Sequence, residues 1–209
     1  MPTLLHLDSS PLGANSISRH LSREFVQQWR QTHPAGRVIT RDLTTSSLLS
    51  IDEDWISASF TPADSRTATQ QQTLALSDTL IAELHAADEY VFGVPMHNFA
   101  APSVFKLWVD QIVRPGETFA YIDGAPVGYL KNKKATFVVA SGGVYDEGAA
   151  IASFNFVEPY LRTLFAFLGV TNTNFLNAGG AAALRYGQID RQIFLAPHIE
   201  SIRARFQSA

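Results

Sequence analysis

A chain of 209 residues, 46% of them hydrophobic, has no charge run or low-complexity linker and can form one complete core, so we expect residues 1–209 to be a single domain. The net charge of −3, with both signs interspersed, offers no basic face for nucleic acid, and no apolar run is long enough to span a membrane. Cysteine is absent, which excludes disulfides, thiolate catalysis and thiolate-bound metal clusters and agrees with a cytoplasmic location.

The chain opens with a predicted strand over residues 3–8, a hydroxyl-rich loop and a helix. The helix is predicted by an apolar stripe at four-residue spacing: Ile17, Leu21, Phe25 and Trp29. Four hydroxyls surround its N-terminus: Ser9, Ser10, Ser16 and Ser18. Free N–H groups and the helix dipole at such a terminus favour a phosphate monoester, although Asn15 or Ser16 is equally well explained as a simple helix cap. Neither a G-x-G-x-x-G fingerprint nor a P-loop is present.

Residues 37–43 alternate in polarity and predict a second strand near a sheet edge. The long connection that follows, residues 44–66, is of a length that is usually functional or docked on a partner. Trp55 and Phe60 lie in it and could cap a ligand pocket or fill a subunit interface. Packing against their own core is an equally good explanation. A second helix is predicted over residues 69–87.

Residues 90–95 form an apolar run that is typical of a strand buried on both faces. Pro95 and the loop around Asn98 end this strand, and an amphipathic helix is predicted over residues 104–113. In an open α/β sheet such a loop borders the ligand crevice. The Asn98 amide suits the polar edge of a heterocycle, and Met96 and Phe99 offer apolar contact. We interpret this segment as a flavin-binding loop.

Residues 118–130, with Asp123-Gly124 in the middle, predict an appended β-hairpin. We expect Phe119 and Tyr121 to point to opposite faces of it, so that one of them stacks over a ligand, unless both pack within the hairpin. A further buried strand, residues 135–140, ends at Gly142-Gly143, where backbone can approach a ligand closely. Paired glycines are also common in plain turns.

The last predicted elements are a helix over residues 156–168, a strand over 170–178 and a helix over 188–206. Five strands alternating with helices predict an α/β fold with a doubly wound, five-stranded parallel sheet, helices on both faces and the appended β-hairpin. We choose the flavodoxin-like strand order 2-1-3-4-5, because it brings loops 9–18 and 95–99 to the switch point between the first and third strands.

Four motifs agree with one known family. They are Asp8-Ser9-Ser10 with Ser16-Ile17-Ser18, Val94-Pro95-Met96-His97-Asn98-Phe99, Pro102-Ser103 followed by Leu107-Trp108-Val109-Asp110, and Gly116-Glu117-Thr118-Phe119-Ala120-Tyr121. Through them nearly the whole chain resembles the FMN-dependent NADH:quinone oxidoreductases known as azoreductases. The resemblance implies a homodimer with FMN at the subunit boundary. It also implies two-electron reduction of quinones or azo compounds by NADH or NADPH.

The resemblance also implies a role for each matching residue. The FMN phosphate would be held by Ser10, Ser16, Ile17 and Ser18. The isoalloxazine would be lined by Met96, His97, Asn98 and Phe99, and its pyrimidine edge would be met by Ala140, Ser141, Gly142 and Gly143. The chain departs from the family where His97 replaces a frequent Tyr. It also departs where Ala140-Ser141 replaces a frequent Ser-Arg and so removes a possible cationic contact.

The mechanism implied by this cofactor is a ping-pong hydride transfer, in which the nicotinamide leaves before the quinone binds. Water or a nearby hydroxyl can protonate the quinone oxygens, so we assign no catalytic residue. We expect Phe60, Phe119 and Tyr121 only as stacking walls for the substrate.

Three other functions are weighed against this one. An electron carrier or flavin sensor would usually be strongly acidic, which this chain is not. A serine hydrolase would use Ser9 or Ser10 with Asp190 and His198, but no G-x-S-x-G motif is present. A metal enzyme is the least supported, because the six histidines are scattered with no H-x-x-x-H pair.

Overall fold

The computed structural model describes residues 1–207. Its strands are β1 (Thr3–Asp8), β2 (Arg37–Asp42), β3 (Glu89–Pro95), β4 (Phe119–Ile122), β5 (Ala125–Gly128), β6 (Lys134–Ala140) and β7 (Asn172–Ala178). Its helices are α1 (Ile17–Thr32), α2 (Glu53–Phe60), α3 (Ala68–Ala86), α4 (Ser103–Ile112), α5 (Val157–Phe167), α6 (Ala182–Arg185) and α7 (Arg191–Gln207). Throughout residues 1–207, every helix is too short or too polar to cross a bilayer.

Five parallel strands form the central sheet in the order β2-β1-β3-β6-β7. This arrangement confirms the flavodoxin-like order 2-1-3-4-5, because β4 and β5 pair only with each other, as a separate antiparallel hairpin. The register aligns Asp8 with both Asp42 and Gly93, and Pro95 with Ala140. The carboxyl ends of β1, β3 and β6 therefore meet at one edge of the sheet, where the loops after them are neighbours.

Apolar side chains on both faces of the sheet explain the continuous apolar runs in its central strands. On one face Phe92 stacks on Phe137, with ring centroids 5.0 Å apart, and packs against α4 and α5. On the other face Val91 and Val138 pack with the apolar stripe of α1 and with α7. Helices on both faces are thus confirmed, and the two cores hold the carboxyl edge of the sheet in place.

The connection over residues 44–66 contains α2, which the sequence did not predict. Asp52 caps this helix by accepting a hydrogen bond from the Trp55 amide at 2.8 Å. The Trp55 indole is buried and donates to the Gln111 side chain at 2.9 Å, so Trp55 packs on its own core rather than on a ligand. Phe60, at the end of the same helix, is 72% exposed.

The hairpin corrects one expectation about its aromatic residues. Phe119 and Tyr121 lie on the same face, with ring centroids 5.9 Å apart, because residues two apart in a strand share a face. Phe119 packs against Phe167 of α5 at 4.7 Å, whereas Tyr121 is exposed.

Candidate functional site

The N-terminus of α1 contains both a helix cap and a group of hydrogen-bond donors that could bind an anion. The Ser16 hydroxyl accepts from the Arg19 amide at 3.2 Å and lies 3.2 Å from the Ser18 hydroxyl. Ser10, Ser16 and Ser18 are all buried. The amides of Ile17 and Ser18 belong to the first helical turn, where N–H groups have no intrahelical partner. The two explanations of Ser16, cap and anion ligand, are therefore compatible.

A buried arginine supports this loop from behind. Arg19 donates from Nε to the Ser10 carbonyl at 2.7 Å and from its two terminal nitrogens to Asp42 at 2.6 and 2.7 Å. Its hydrogen bond to Asp42 is the main cause that lowers the pKa of this carboxyl to about 2 and raises the pKa of Arg19. Arg191, at the start of α7, donates to the Asn15 carbonyl at 2.9 Å. Two guanidinium groups therefore fix the loop of residues 9–16.

The loop after β3 contains a strained two-residue turn. The backbones of His97 and Ala100 exchange two hydrogen bonds, at 2.9 and 3.1 Å. Between them Asn98 and Phe99 have φ of 48° and 71°, the left-handed pair of a type I′ turn. Asn tolerates this region, but for Phe it costs roughly 1–2 kcal/mol. Such strain is characteristic of functional loops. The Met96 amide ties the loop to β6 by donating to the Ala140 carbonyl at 2.7 Å.

The loop after β6 leaves its glycine open to the neighbouring space. The Ser141 hydroxyl donates to the Gly143 carbonyl at 2.8 Å and so closes the turn. A Cβ placed on Gly142 would meet a single atom within 4 Å, the Ala182 Cβ at 3.8 Å. Gly142 has an ordinary φ, so its backbone conformation does not require glycine. Its lack of a side chain instead lets a ligand approach the backbone closely.

These three loops enclose an open cavity of about 810 Å³ at the switch point between β1 and β3. Nine predicted site residues line it: Ser10, Ser16, Ile17, Ser18, Met96, His97, Ala140, Ser141 and Gly142. Its size is that of a typical cofactor pocket. Hydroxyl and amide donors at one end suit a phosphate, and the apolar Ile17, Met96 and Ala140 suit a heterocycle. The residues present therefore fit FMN.

Comparisons with known proteins place this chain in one family. The model of the flavodoxin-like fold matches residues 2–204. The FMN-dependent NADH:quinone oxidoreductase of Acidobacterium capsulatum is 52% identical to this chain. The FMN-dependent NADH:quinone oxidoreductase 3 of Burkholderia lata is 51% identical. Each alignment covers 97% of this chain and 98% of the relative. The crystal structure of an azoreductase from Bacillus anthracis str. Sterne has a TM-score of 0.88 at 25% identity, with complete coverage of both chains. The chain belongs to the family of FMN-dependent NADH:quinone oxidoreductases.

Within this family frame, six predicted residues lie outside the cavity lining. Asn98, Phe99 and Gly143 belong to the loops that border the cavity but do not line it. The expected stacking walls, Phe60, Phe119 and Tyr121, also form no part of the lining in this single chain. Their contact with a ligand stays a prediction.

A fourth wall of the cavity was not predicted from the sequence. Six residues that follow β7 line it: Ala181, Ala182, Leu184, Arg185, Tyr186 and Arg191. Two signals were available for this wall. The carboxyl end of β7 had to reach the same sheet edge, and Gly179-Gly180 directly follows it as Gly142-Gly143 follows β6. Leu12 and Asn15 of the first loop also line the cavity.

The residues of the hydrolase alternative have structural roles. Ser9 is buried and donates to the Gly93 carbonyl at 2.9 Å. Asp190 caps α7 by accepting from the Gln192 amide at 2.7 Å, and the His198 ring packs against Phe194. Burial lowers the pKa of His198. No hydrogen bond joins these serine, aspartate and histidine residues within residues 1–207. In the same range no cluster of three or more His, Asp or Glu could hold a metal ion.

Proposed function

We propose that this chain is an FMN-dependent NAD(P)H:quinone oxidoreductase that also reduces azo compounds. The observation that carries the proposal is the cavity at the switch point, because it joins phosphate-type donors to an apolar heterocycle site. The relatives at 52% and 51% identity bear the name of this activity. The absence of cysteine and the use of a nicotinamide donor support a cytoplasmic location as part of the same proposal.

FMN supplies the two-electron redox chemistry when it is bound. In this proposal the phosphate of FMN is bound by the hydroxyls of Ser10, Ser16 and Ser18 and by the amides of Ile17 and Ser18. The Asn98 amide and the backbone at Ser141-Gly142 bind the polar edges of its ring. The two backbone hydrogen bonds between His97 and Ala100 hold the ring-binding loop in its turn despite the strain at Asn98 and Phe99, so that orientation is fixed before ligands arrive. Water protonates the acceptor, and no side chain is assigned as a catalytic acid.

The use of one shared cavity by donor and acceptor also supports a ping-pong order. With the cofactor in place, donor and acceptor would occupy the same remaining space, so the oxidised nicotinamide leaves before the acceptor enters. Initial rates measured over a grid of NADH and quinone concentrations should give parallel double-reciprocal lines. Intersecting lines would show that both ligands bind together.

A homodimer with the cavity at its boundary is part of the proposal. Exposed aromatic side chains lie beside the cavity loops: Phe99 contacts Phe154 at 5.4 Å, and Phe156 is also exposed. Phe60 presents a further exposed ring on α2. Exposed apolar surface of this kind is typical of an interface. A second subunit would bring such residues to the cavity of the first.

An anaerobic absorbance experiment tests the proposed activity. The purified protein, supplied with FMN, should show two visible flavin bands that bleach with NADH and return with a small quinone. Bands that NADH and NADPH leave unchanged would favour an electron carrier or sensor. A colourless protein that takes up no added FMN would refute the proposal.

A further inference from the structure

One cation on the wall of the cavity has no partner among the residues that the structure describes. Arg185 ends α6, is exposed and lines the cavity, and its guanidinium forms no hydrogen bond or ion pair within residues 1–207. Arg191 lines the same cavity but is engaged with the Asn15 carbonyl. A long charged side chain that none of the described residues holds is available for a ligand.

The backbone places Arg185 beside the edge formed by residues 141–143. Three hydrogen bonds join the two segments: Gly180 N to Gly143 O at 3.0 Å, Ala181 N to Ser141 O at 3.0 Å, and Ala182 N to Gly142 O at 3.1 Å. Ala182 and Arg185 are three residues apart in one helical turn and so share a face. Since Ala182 borders Gly142, Arg185 belongs to the same wall.

The charge of the cavity favours an anion. Its lining contains two arginines but no Asp or Glu, although the whole chain carries a net charge of −3. The buried serines at the α1 terminus already provide donors for the cofactor phosphate. Arg185 and the 72% exposed Tyr186 are open to solvent on the cavity wall, so they remain accessible to a second ligand.

We propose that Arg185 is a specificity-determining residue that binds an anionic group on the second ligand. This inference rests on the proposed function. The anionic group is either a phosphate of the nicotinamide dinucleotide or a sulfonate or carboxylate on an aromatic acceptor. Tyr186 provides an aromatic surface next to this cation for the planar part of the ligand.

Equilibrium binding to the oxidised, FMN-loaded protein tests the proposal without turnover. Calorimetry is performed with 1,4-naphthoquinone-2-sulfonate, with neutral 1,4-naphthoquinone and with NAD⁺. No cysteine is present to react with the quinones. The variants are Arg185→Gln, Arg185→Lys and, as a matched control, Arg30→Gln. Arg30 is an exposed arginine of α1 that lines a different cavity.

Arg185→Gln should weaken at least one anionic ligand by about two- to fivefold and leave the neutral quinone unchanged. Weaker sulfonate binding identifies the acceptor as the source of the anion, and weaker NAD⁺ binding identifies the donor. Arg185→Lys should retain most of the affinity for the anionic ligand, and Arg30→Gln should retain all of it. In 1 M salt the difference in affinity between Arg185→Gln and the unmodified protein should disappear.

Equal loss for neutral and anionic quinones, or no loss for either anion, would overturn the proposal. So would weaker binding of FMN but not of riboflavin, because Arg185 would then serve the cofactor phosphate. Failure of the proposed function can be told apart from failure of the Arg185 proposal. In the first case the unmodified protein itself would take up no FMN.

Discussion

Arg19 and Asp42 form a bidentate ion pair directly behind the loop of residues 9–16, with N–O distances of 2.6 and 2.7 Å. Arg19 is 5% exposed, and its Nε also donates to the Ser10 carbonyl. One guanidinium therefore links the edge strand β2 to the loop that carries the proposed phosphate donors. The geometry of this loop depends on a carboxylate that is itself outside the cavity lining.

Replacing this carboxylate should change stability in a pH-dependent way. Asp42→Asn leaves a buried guanidinium with poorer partners and should lower the free energy of unfolding by about 2 kcal/mol at pH 7. The pKa of Asp42 is lowered to about 2, so its contribution is complete above about pH 4 and is lost as the pH falls toward 2. Urea unfolding should therefore show that the gap between the two proteins shrinks between pH 4 and 2. Asp123→Asn in the hairpin turn is the control, and a constant gap would contradict the prediction.

The two serines of the α1 terminus should separate capping from phosphate binding. Ser16→Ala removes the acceptor for the Arg19 amide and should cost about 1 kcal/mol of stability, in addition to FMN affinity. Ser18→Ala leaves this cap in place and should reduce FMN affinity with a smaller loss of stability. Thermal unfolding and titration with FMN measure both effects. Riboflavin, which lacks the phosphate, should bind all three proteins with similar affinity, and an equal loss for riboflavin would disprove the phosphate assignment.

A methyl group on Gly142 should block the cavity without disturbing the fold. The added Cβ meets only the Ala182 Cβ at 3.8 Å, so Gly142→Ala should unfold within about 0.5 kcal/mol of the wild type and yet bind FMN more weakly. Gly128→Ala is the matched contrast. Its Cβ would lie 2.1 Å from the Leu168 carbonyl carbon and should destabilise the fold by about 3 kcal/mol. Unchanged FMN affinity in a folded Gly142→Ala protein would exclude close approach of the ring there.

The sheet and its order were predictable because β1, β3 and β6 are rich in apolar residues and end in recognisable loops. Local chemistry also indicated Ser16, which both caps α1 and lines the cavity. The carboxyl end of β7 and Gly179-Gly180 did indicate a further wall, but the position of Arg185 in that wall was not predictable, since the segment of residues 179–186 is fixed by backbone hydrogen bonds to residues about 40 positions earlier. The same holds for the pairing of Arg19 with Asp42. The error at Phe119 and Tyr121 was one of strand periodicity.

The proposed subunit boundary can be tested at Phe60. In a single chain its ring is 72% exposed and lines no part of the cavity, so a stacking role requires a second subunit. Phe60→Ala should leave the free energy of unfolding within about 0.5 kcal/mol of the wild type, because the exposed ring makes few contacts within its own chain. The substitution should either raise KM for the quinone or raise the dissociation constant of the dimer by roughly tenfold. A tenfold change corresponds to the loss of about 1.4 kcal/mol of contact energy.

Ile193→Ala, on α7 and 65% exposed, is the control for removing an apolar surface residue. Light scattering after gel filtration and steady-state kinetics give the two readouts. A Phe60→Ala protein with wild-type KM and mass would place Phe60 outside both the interface and the substrate site.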